Sequence, residues 1–248
     1  MNPLKQSLRR LYYSVTGGAQ PKFHCPICGY RGVFKDKRLS KVPDLVRVYT
    51  KCLGCESKER HRMMHLLFGE LFPNKGDAGK KILHIAPEEF MRGFFAERFE
   101  TYHTADLFKK DVDFKEDLQK MSFEDGSYDC VVISRVLTCP PDLEACVSET
   151  RRILRKGGIA IIAEIYTHDQ TLEFGKFVNG RSRETGVDCV DLYRKYFDRV
   201  DLILSNRYAP EYQLHNLIHL NGKPKDDYPE LIRLPGQGFM DVVAVCRA

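Results

Sequence analysis

No run of 18 apolar residues occurs anywhere in this chain of 248, so the sequence holds nothing able to cross a bilayer as a helix. The opening residues, MNPLKQSLRRLYYSVTGG, are basic but lack the apolar centre of a secretory leader. Instead Leu4, Leu8, Leu11, Tyr12 and Val15 fall at helical spacing, and a short amphipathic helix is expected over residues 1–20. The expected location is therefore cytoplasmic and reducing, with no membrane contact. There, nine cysteines, an odd number, point to metal binding rather than to disulfides.

Four of the nine form two tight pairs, Cys25-Pro-Ile-Cys28-Gly29 and Cys52-Leu-Gly-Cys55. Each C-x2-C turn aims two sulfurs at one point, and two such turns supply the four soft thiolates that zinc prefers in a tetrahedron. Four sulfurs fill that shell and leave no place for water, so the expected role is structural. Gly29 and Gly54 are expected to give the turns their backbone freedom. Residues 30–34 and 46–49 read as short strands returning the second pair to the first, which makes residues 21–60 a zinc-ribbon module. A helix face follows in Met63, Leu66, Leu67 and Leu71, ended by Pro73, with Arg60, His61 and Arg62 on its first turn. Those three read as a solvated basic start or as an anion contact. Residues 61–79 are thus expected to be a connecting helix and linker. Residues 1–62 carry 14 Lys/Arg against 4 Asp/Glu, a balance that suits an anionic partner or a solvated basic face. Little aromatic stacking surface accompanies it beyond Tyr30, Phe34 and Tyr49.

From residue 80 to 248 strand and helix signals alternate. Buried strands are expected at 81–86, 101–105, 128–134, 159–164, 200–204 and 240–246, with a short one at 111–114. This rhythm predicts an α/β domain, a Rossmann-like open sheet with helices on both faces. Such sheets bind ligands beyond the carboxyl ends of their strands. Asp106 ends the second strand, 20 residues after Ala86, where a carboxylate can accept both ribose hydroxyls. Asp117-Leu118 follows the third strand, placed to meet an adenine amine and ring face. The stretch His84-Ile-Ala86-Pro87-Glu88-Glu-Phe90 has no glycine until Gly93, which disfavours a nicotinamide-dinucleotide fingerprint.

Two segments carry a more specific likeness. Residues 117–132, DLQKMSFEDGSYDCVV, and residues 149–158, ETRRILRKGG, resemble the D-A-x-x-L-P-F-x-D-x-S-F-D-x-V and E-x-x-R-V-L-K-P-G-G stretches of class I S-adenosylmethionine-dependent methyltransferases. The likeness covers residues 80–166 well and the tail loosely. It implies a seven-stranded sheet with the last strand antiparallel, and S-adenosylmethionine as cofactor. By this resemblance the cofactor runs along His84, Ala86, Pro87 and Glu88, then Asp106 and Leu107, Asp117 and Leu118, and Ser134 and Arg135. The family's first loop is usually glycine-rich, and this one follows a different path.

Methyl transfer needs alignment and often a proton acceptor. His168 and Tyr166, after the fifth strand, are the catalytic candidates. Residues 205–238 are expected to interrupt a terminal hairpin and shape a substrate pocket. In that region His215 and His219 would be neighbours if helical. The best reading is methyl transfer to an O or N atom of a small-molecule or carbohydrate-like acceptor. Two others compete with it: an RNA methyltransferase gripping phosphates with the basic module, and a binding protein that has lost the cofactor loop.

Overall fold

The computed structural model of the chain describes residues 20–38, 44–74 and 77–248, with the single positions 13 and 42. The helix expected over 1–20 lies outside the described residues except at positions 13 and 20. In chain order the strands and helices are β1 (Phe23–His24), β2 (Arg31–Gly32), β3 (Phe34–Arg38), β4 (Leu45–Cys52), α1 (Glu59–Leu71), β5 (Asp77–Ile85), α2 (Glu89–Arg98), β6 (Phe99–Ala105), β7 (Tyr128–Ser134), α3 (Leu143–Ile153), β8 (Leu154–Glu164), β9 (Leu172–Val178), β10 (Arg181–Glu184), α4 (Cys189–Tyr196), β11 (Arg199–Leu204), β12 (Asn216–Leu220), β13 (Lys223–Pro224), β14 (Arg233–Leu234), β15 (Gly238–Phe239) and β16 (Val242–Arg247). They sort into two compact units. One joins Met1–Leu71 to Leu204–Asp241; the other joins Phe72–Ile203 to Val242–Ala248.

The first, here the cysteine unit, is discontinuous in sequence. Its sheet runs β14-β15-β12-β4-β3, with β13 on β12. The late segment enters through β12, which pairs antiparallel with β4, Ile218 opposite Arg47 and Leu220 opposite Leu45. Residues 204–241 therefore complete the front module, whereas the sequence reading assigned them to the second domain as a pocket-shaping insertion. The sequence carried one sign of this late partner: Asn216–Leu220 ends at the positive-φ pair Asn221-Gly222, a hairpin-turn signature. His215 and His219 flank or lie on this strand, so helical adjacency is absent, and His215 instead bonds Ser205 Oγ at 2.7 Å.

Helix α1 packs within the same unit rather than linking two domains. Met63 and Leu67 of the expected apolar face are buried, Leu66 and Leu71 only partly so, and Met64, Phe68, His61 and Arg62 are buried as well. Arg62 is neither solvated nor an exposed anion contact. Its guanidinium donates to the carbonyls of Thr50 (3.1 Å), Ser57 (2.8 Å), Tyr212 (3.0 Å) and Gln213, and it covers the Phe34 ring at 4.6 Å. Burial pulls its pKa down, opposed by the charge of Glu59 and of the cysteines. A buried charge persists only when its donors are used, and here they tie β4 and the second cysteine turn to residues 212–213.

The second, the sheet unit, is a mixed six-stranded sheet in the order β11-β16-β8-β7-β5-β6. β6, β5, β7 and β8 are parallel neighbours, and β16 is antiparallel to β8. Ile82, Leu83, Val131, Val132, Ile161 and Ile162 have no exposed surface, as expected of parallel strands covered on both faces. The antiparallel closing strand matches expectation. The seventh strand does not form: residues 111–114 contribute one parallel bridge, Phe114 to Ala105. Asp113 accepts from the Thr104 N–H (2.8 Å) and Oγ1 (2.7 Å), so a side chain takes a place a ladder would have filled. Because β6 and β7 lie on opposite sides of β5, the strand order reverses there, and the ligand crevice belongs at its carboxyl end.

Candidate cofactor and metal sites

The strand register gathers the expected cofactor residues. Ile85 stands opposite Ala105 on one side and Ile133 on the other. The residues that follow, Ala86, Asp106 and Ser134, thus leave the sheet side by side. Ala86 takes a left-handed backbone (φ 50°), normally glycine's territory, and its N–H bonds the Ala105 carbonyl at 2.8 Å. Pro87 has no N–H to give. The Glu88 N–H reaches His84 Nε2 at 3.4 Å, and His84 Nδ1 meets the Tyr102 hydroxyl at 3.1 Å. An Nε2 that accepts leaves the proton on Nδ1, so the imidazole is neutral; burial pulls its pKa down to about 3. Glu88 accepts from Ser134 Oγ at 3.0 Å.

Asp106 uses one carboxylate oxygen to accept the N–H groups of Phe108 and Lys109, both at 2.7 Å, which leaves Oδ2 for a ribose. Leu107 next to it is 48% exposed, apolar surface open to a ligand at that edge. Asp117 begins three residues after Phe114, itself bridged to Ala105. Its carboxylate accepts the backbone and side-chain N–H groups of Gln119 at 2.9 and 3.0 Å, and Leu118 is buried beside it. Arg135 also has a left-handed backbone (φ 59°), and its N–H bonds the Ala163 carbonyl at 2.9 Å. Buried Glu164 accepts the next two N–H groups, Val136 at 2.7 Å and Leu137 at 3.0 Å, which shapes the loop after β7.

In the cysteine unit the ligand atoms of Cys25, Cys28, Cys52 and Cys55 all lie within 4.8 Å of one another. Sulfur separations of 3.7 Å (Cys25–Cys55) and 3.6 Å (Cys28–Cys52) fit a tetrahedron with metal–sulfur bonds of about 2.3 Å, whose edges are about 3.8 Å. The two turns are geometric copies. The Cys25 N–H bonds the Tyr30 carbonyl and Gly29 N–H the Cys25 carbonyl; the Cys52 N–H bonds the Ser57 carbonyl and Glu56 N–H the Cys52 carbonyl, all at 2.9–3.0 Å. The left-handed position is Gly29 (φ 70°) in the first turn and Glu56 (φ 62°) in the second. Gly54 serves differently from expectation: a Cβ there would stand 2.6 Å from Cys28 Sγ, so it is glycine for lack of space.

Comparisons with known proteins bear on the sheet unit. Residues 71–162 match the protein family described as "Methyltransferase domain". Over those residues the chain carries a methyltransferase domain. It is 27% identical over 158 residues to the polyketide synthase-nonribosomal peptide synthetase ACE1 of Pyricularia oryzae, which covers 56% of this chain and 4% of that protein. Against the polyketide synthase component of lovastatin nonaketide synthase from Aspergillus terreus, identity is 30% over 173 residues, 63% of this chain and 6% of that one. The chain thus spans a small fraction of these synthases. Among solved structures, a SAM dependent methyltransferase from Archaeoglobus fulgidus is similar in fold with a TM-score of 0.50 at 11% identity, over 76% of this chain and 94% of that one.

In the sheet unit the two catalytic candidates part company. Tyr166 is buried, its hydroxyl 3.2 Å from that of equally buried Tyr193, and burial pushes its pKa well above the usual phenol range. A sequestered, neutral phenol is no proton acceptor, so Tyr166 is a core residue. His168 stays half-exposed, with Nε2 2.9 Å from the Glu184 carboxylate. Glu184 was not singled out from sequence; it sits on β10, and the signal that could have found its hairpin is the Asn179-Gly180 turn between β9 and β10. Arg183 beside it was missed too: buried, it donates to the carbonyls of Leu137 (2.8 Å), Pro140 (2.6 Å) and Pro141 (2.6 Å), fixing the hairpin base to the loop after β7. The two family-like stretches turn out to hold each other. Glu149 accepts the Met121 N–H at 2.9 Å, while Arg152 donates to the carbonyls of Met121 (3.0 Å) and Phe123 (2.7 Å) and to Asp125 (2.7 Å).

Proposed function

We propose that this chain moves the methyl group of S-adenosylmethionine to an O or N atom of a small-molecule or carbohydrate-like acceptor, and that Cys25, Cys28, Cys52 and Cys55 hold one structural zinc. The observation that carries the reading is the convergence of Ala86–Glu88, Asp106 and Ser134 at the strand-order switch of a methyltransferase domain. When bound, the cofactor supplies an electrophilic methyl. Asp106 would take the ribose hydroxyls, Asp117 and Leu118 the adenine, and the loop from His84 to Glu88 the methionine part. His168, whose Nε2 lies 2.9 Å from the Glu184 carboxylate, would accept the acceptor's proton.

A polyanionic acceptor is less well supported. The cations paired across β3 and β4, Lys35 opposite Lys51 and Lys37 opposite Arg47, are partly neutralised from within. Glu56 lies 3.8 Å from Lys35 and 3.0 Å from Lys51, and buried Glu59 2.9 Å from Arg47. Their charge helps fold the cysteine unit, and no helix among the described residues is long and apolar enough to cross a membrane.

The test has two arms. Elemental analysis of the purified chain should return one zinc per chain, with four retained thiolates. Incubation with methyl-labelled S-adenosylmethionine and separate low-molecular-weight and RNA fractions of a cell extract should label the former. Label confined to RNA would replace the acceptor assignment, and failure to bind S-adenosylhomocysteine in calorimetry would remove the activity itself.

A further inference from the structure

Ser57 follows the second cysteine turn, where the chain runs into α1, and it has no exposed surface. Its hydroxyl oxygen stands 3.1 Å from Cys55 Sγ and 3.4 Å from Cys25 Sγ. Those sulfurs come one from each turn and are 3.7 Å apart, so the oxygen caps one edge of the quartet. The main chain holds it there: the Ser57 carbonyl accepts the Cys52 N–H at 3.0 Å and the Arg62 guanidinium at 2.8 Å. Any residue could supply that carbonyl. The hydroxyl is what serine adds, and sulfur is what it meets.

We propose that Ser57 belongs to the metal site, its hydroxyl donating to the Cys55 thiolate with Cys25 as the second acceptor, and so strengthening the hold of the quartet on zinc. This rests on the zinc reading above. A metal-bound sulfur carries no proton but keeps lone pairs, so the hydroxyl is the donor. Four thiolates outweigh one dipositive ion, and the excess negative charge lies where Cys25 and Cys52 have no exposed surface. Buried charge persists only where donors meet it. The Gly54 N–H serves Cys52 Sγ at 3.1 Å; Ser57 serves the edge that Cys52 does not share. Neighbouring cations are spent on carboxylates, Arg47 on Glu59 at 2.9 Å and Lys51 on Glu56 at 3.0 Å.

Metal binding to the full chain tests this with two readouts. Zinc affinity is measured against a chelating dye, and cobalt(II) replaces zinc for spectroscopy. Ser57→Ala should still bind one metal, but about 10–100-fold more weakly, as loss of a partner to a metal ligand does. A hydrogen bond lowers the energy of a thiolate lone pair, so its loss should move the sulfur-to-cobalt charge-transfer band to longer wavelength. Thr50→Val is the control. It removes another fully buried hydroxyl of the same unit, one with no hydrogen-bond partner among the described residues, and should leave the band in place. The wild-type chain gives a third reading: with cadmium-113 as the metal, the Ser57 hydroxyl proton should exchange slowly and couple to the metal through sulfur. Unchanged affinity or an unshifted band in Ser57→Ala, an equal shift in Thr50→Val, or a hydroxyl proton that exchanges freely without coupling overturns the assignment while the zinc site stands. A wild-type chain that takes up no metal overturns the zinc reading and the assignment with it.

Discussion

In the sheet unit, the residues without exposed surface along β5, β7 and β8 are aliphatic, Ile82, Leu83, Val131, Val132, Ile161 and Ile162 among them, apart from His84 and Tyr128. The cysteine unit also has buried apolar residues, but Thr50, Glu59, Arg62 and Asn216 share its interior with no exposed surface of their own. Apolar burial is non-directional and spread over many contacts, so losing one side chain leaves the rest in place. Buried charges and a sulfur quartet are directional, and each depends on particular partners. One unit should therefore weaken by degrees and the other fail at single points.

The largest effect should come from Cys52→Ser. Structural zinc contributes on the order of 10 kcal/mol to the folding of small modules. The variant should lose its zinc, and hydrogen exchange should show the amides of β12 opening with those of β4 while β7 stays protected. Protection of β12 in a zinc-free variant would break the comparison. Arg62→Met comes next. It leaves four carbonyls without their donor and removes the charge facing the cysteines, at a cost of about 3–5 kcal/mol, read from urea unfolding followed by a probe in the cysteine unit. For scale, Ile161→Val in the sheet should cost about 1 kcal/mol.

His84 gives the sheet unit its own sensitive point, and pH sharpens the contrast. Free histidine titrates near 6.5; burial holds His84 down to about 3 in the folded chain. Between those values the unfolded chain binds the extra proton. The contribution is therefore complete above about pH 6.5 and falls as the solution is acidified, by about 2 kcal/mol at pH 5. Thermal unfolding of the sheet unit between pH 7 and 5 should show this slope, and His84→Phe should flatten it. The smallest effect is expected at Glu56→Gly. Relief of a left-handed backbone returns about 1 kcal/mol, and loss of the half-buried bridges to Lys35 and Lys51 takes back a similar amount. A net change beyond about 1 kcal/mol in denaturant titrations would mean that one of the two is misjudged.

How much of this could be read beforehand follows from the range of the interactions. The quartet was legible because each half is a four-residue turn, complete within its own stretch of chain. The parallel strands were legible because burial on both faces leaves near-continuous apolar runs such as Tyr128–Ser134. Asp106 was legible from its spacing after a strand. The partnership of β12 with β4 was not, since it joins residues 171 and more apart and β4 carries no mark of a third strand. Neither was the burial of Arg62: its four acceptors are main-chain carbonyls, which every sequence possesses. Tyr166 looked like a loop residue because the strand end and the apolar stretch of α4 that covers it are separated by 27 positions. Glu184 shares this character, being an exposed-looking charge whose meaning lies in a neighbour brought up by folding.

Because residues 204–241 return to complete a sheet begun by residues 34–52, no single cut in the gene separates the two halves of this protein. A fragment starting after Leu71 would carry an orphaned ribbon of strands with an exposed edge in search of a mate, a recipe for insolubility. Excising the cysteine unit cleanly requires removing the late segment between β11 and β16 as well and rejoining those two strands with a short turn.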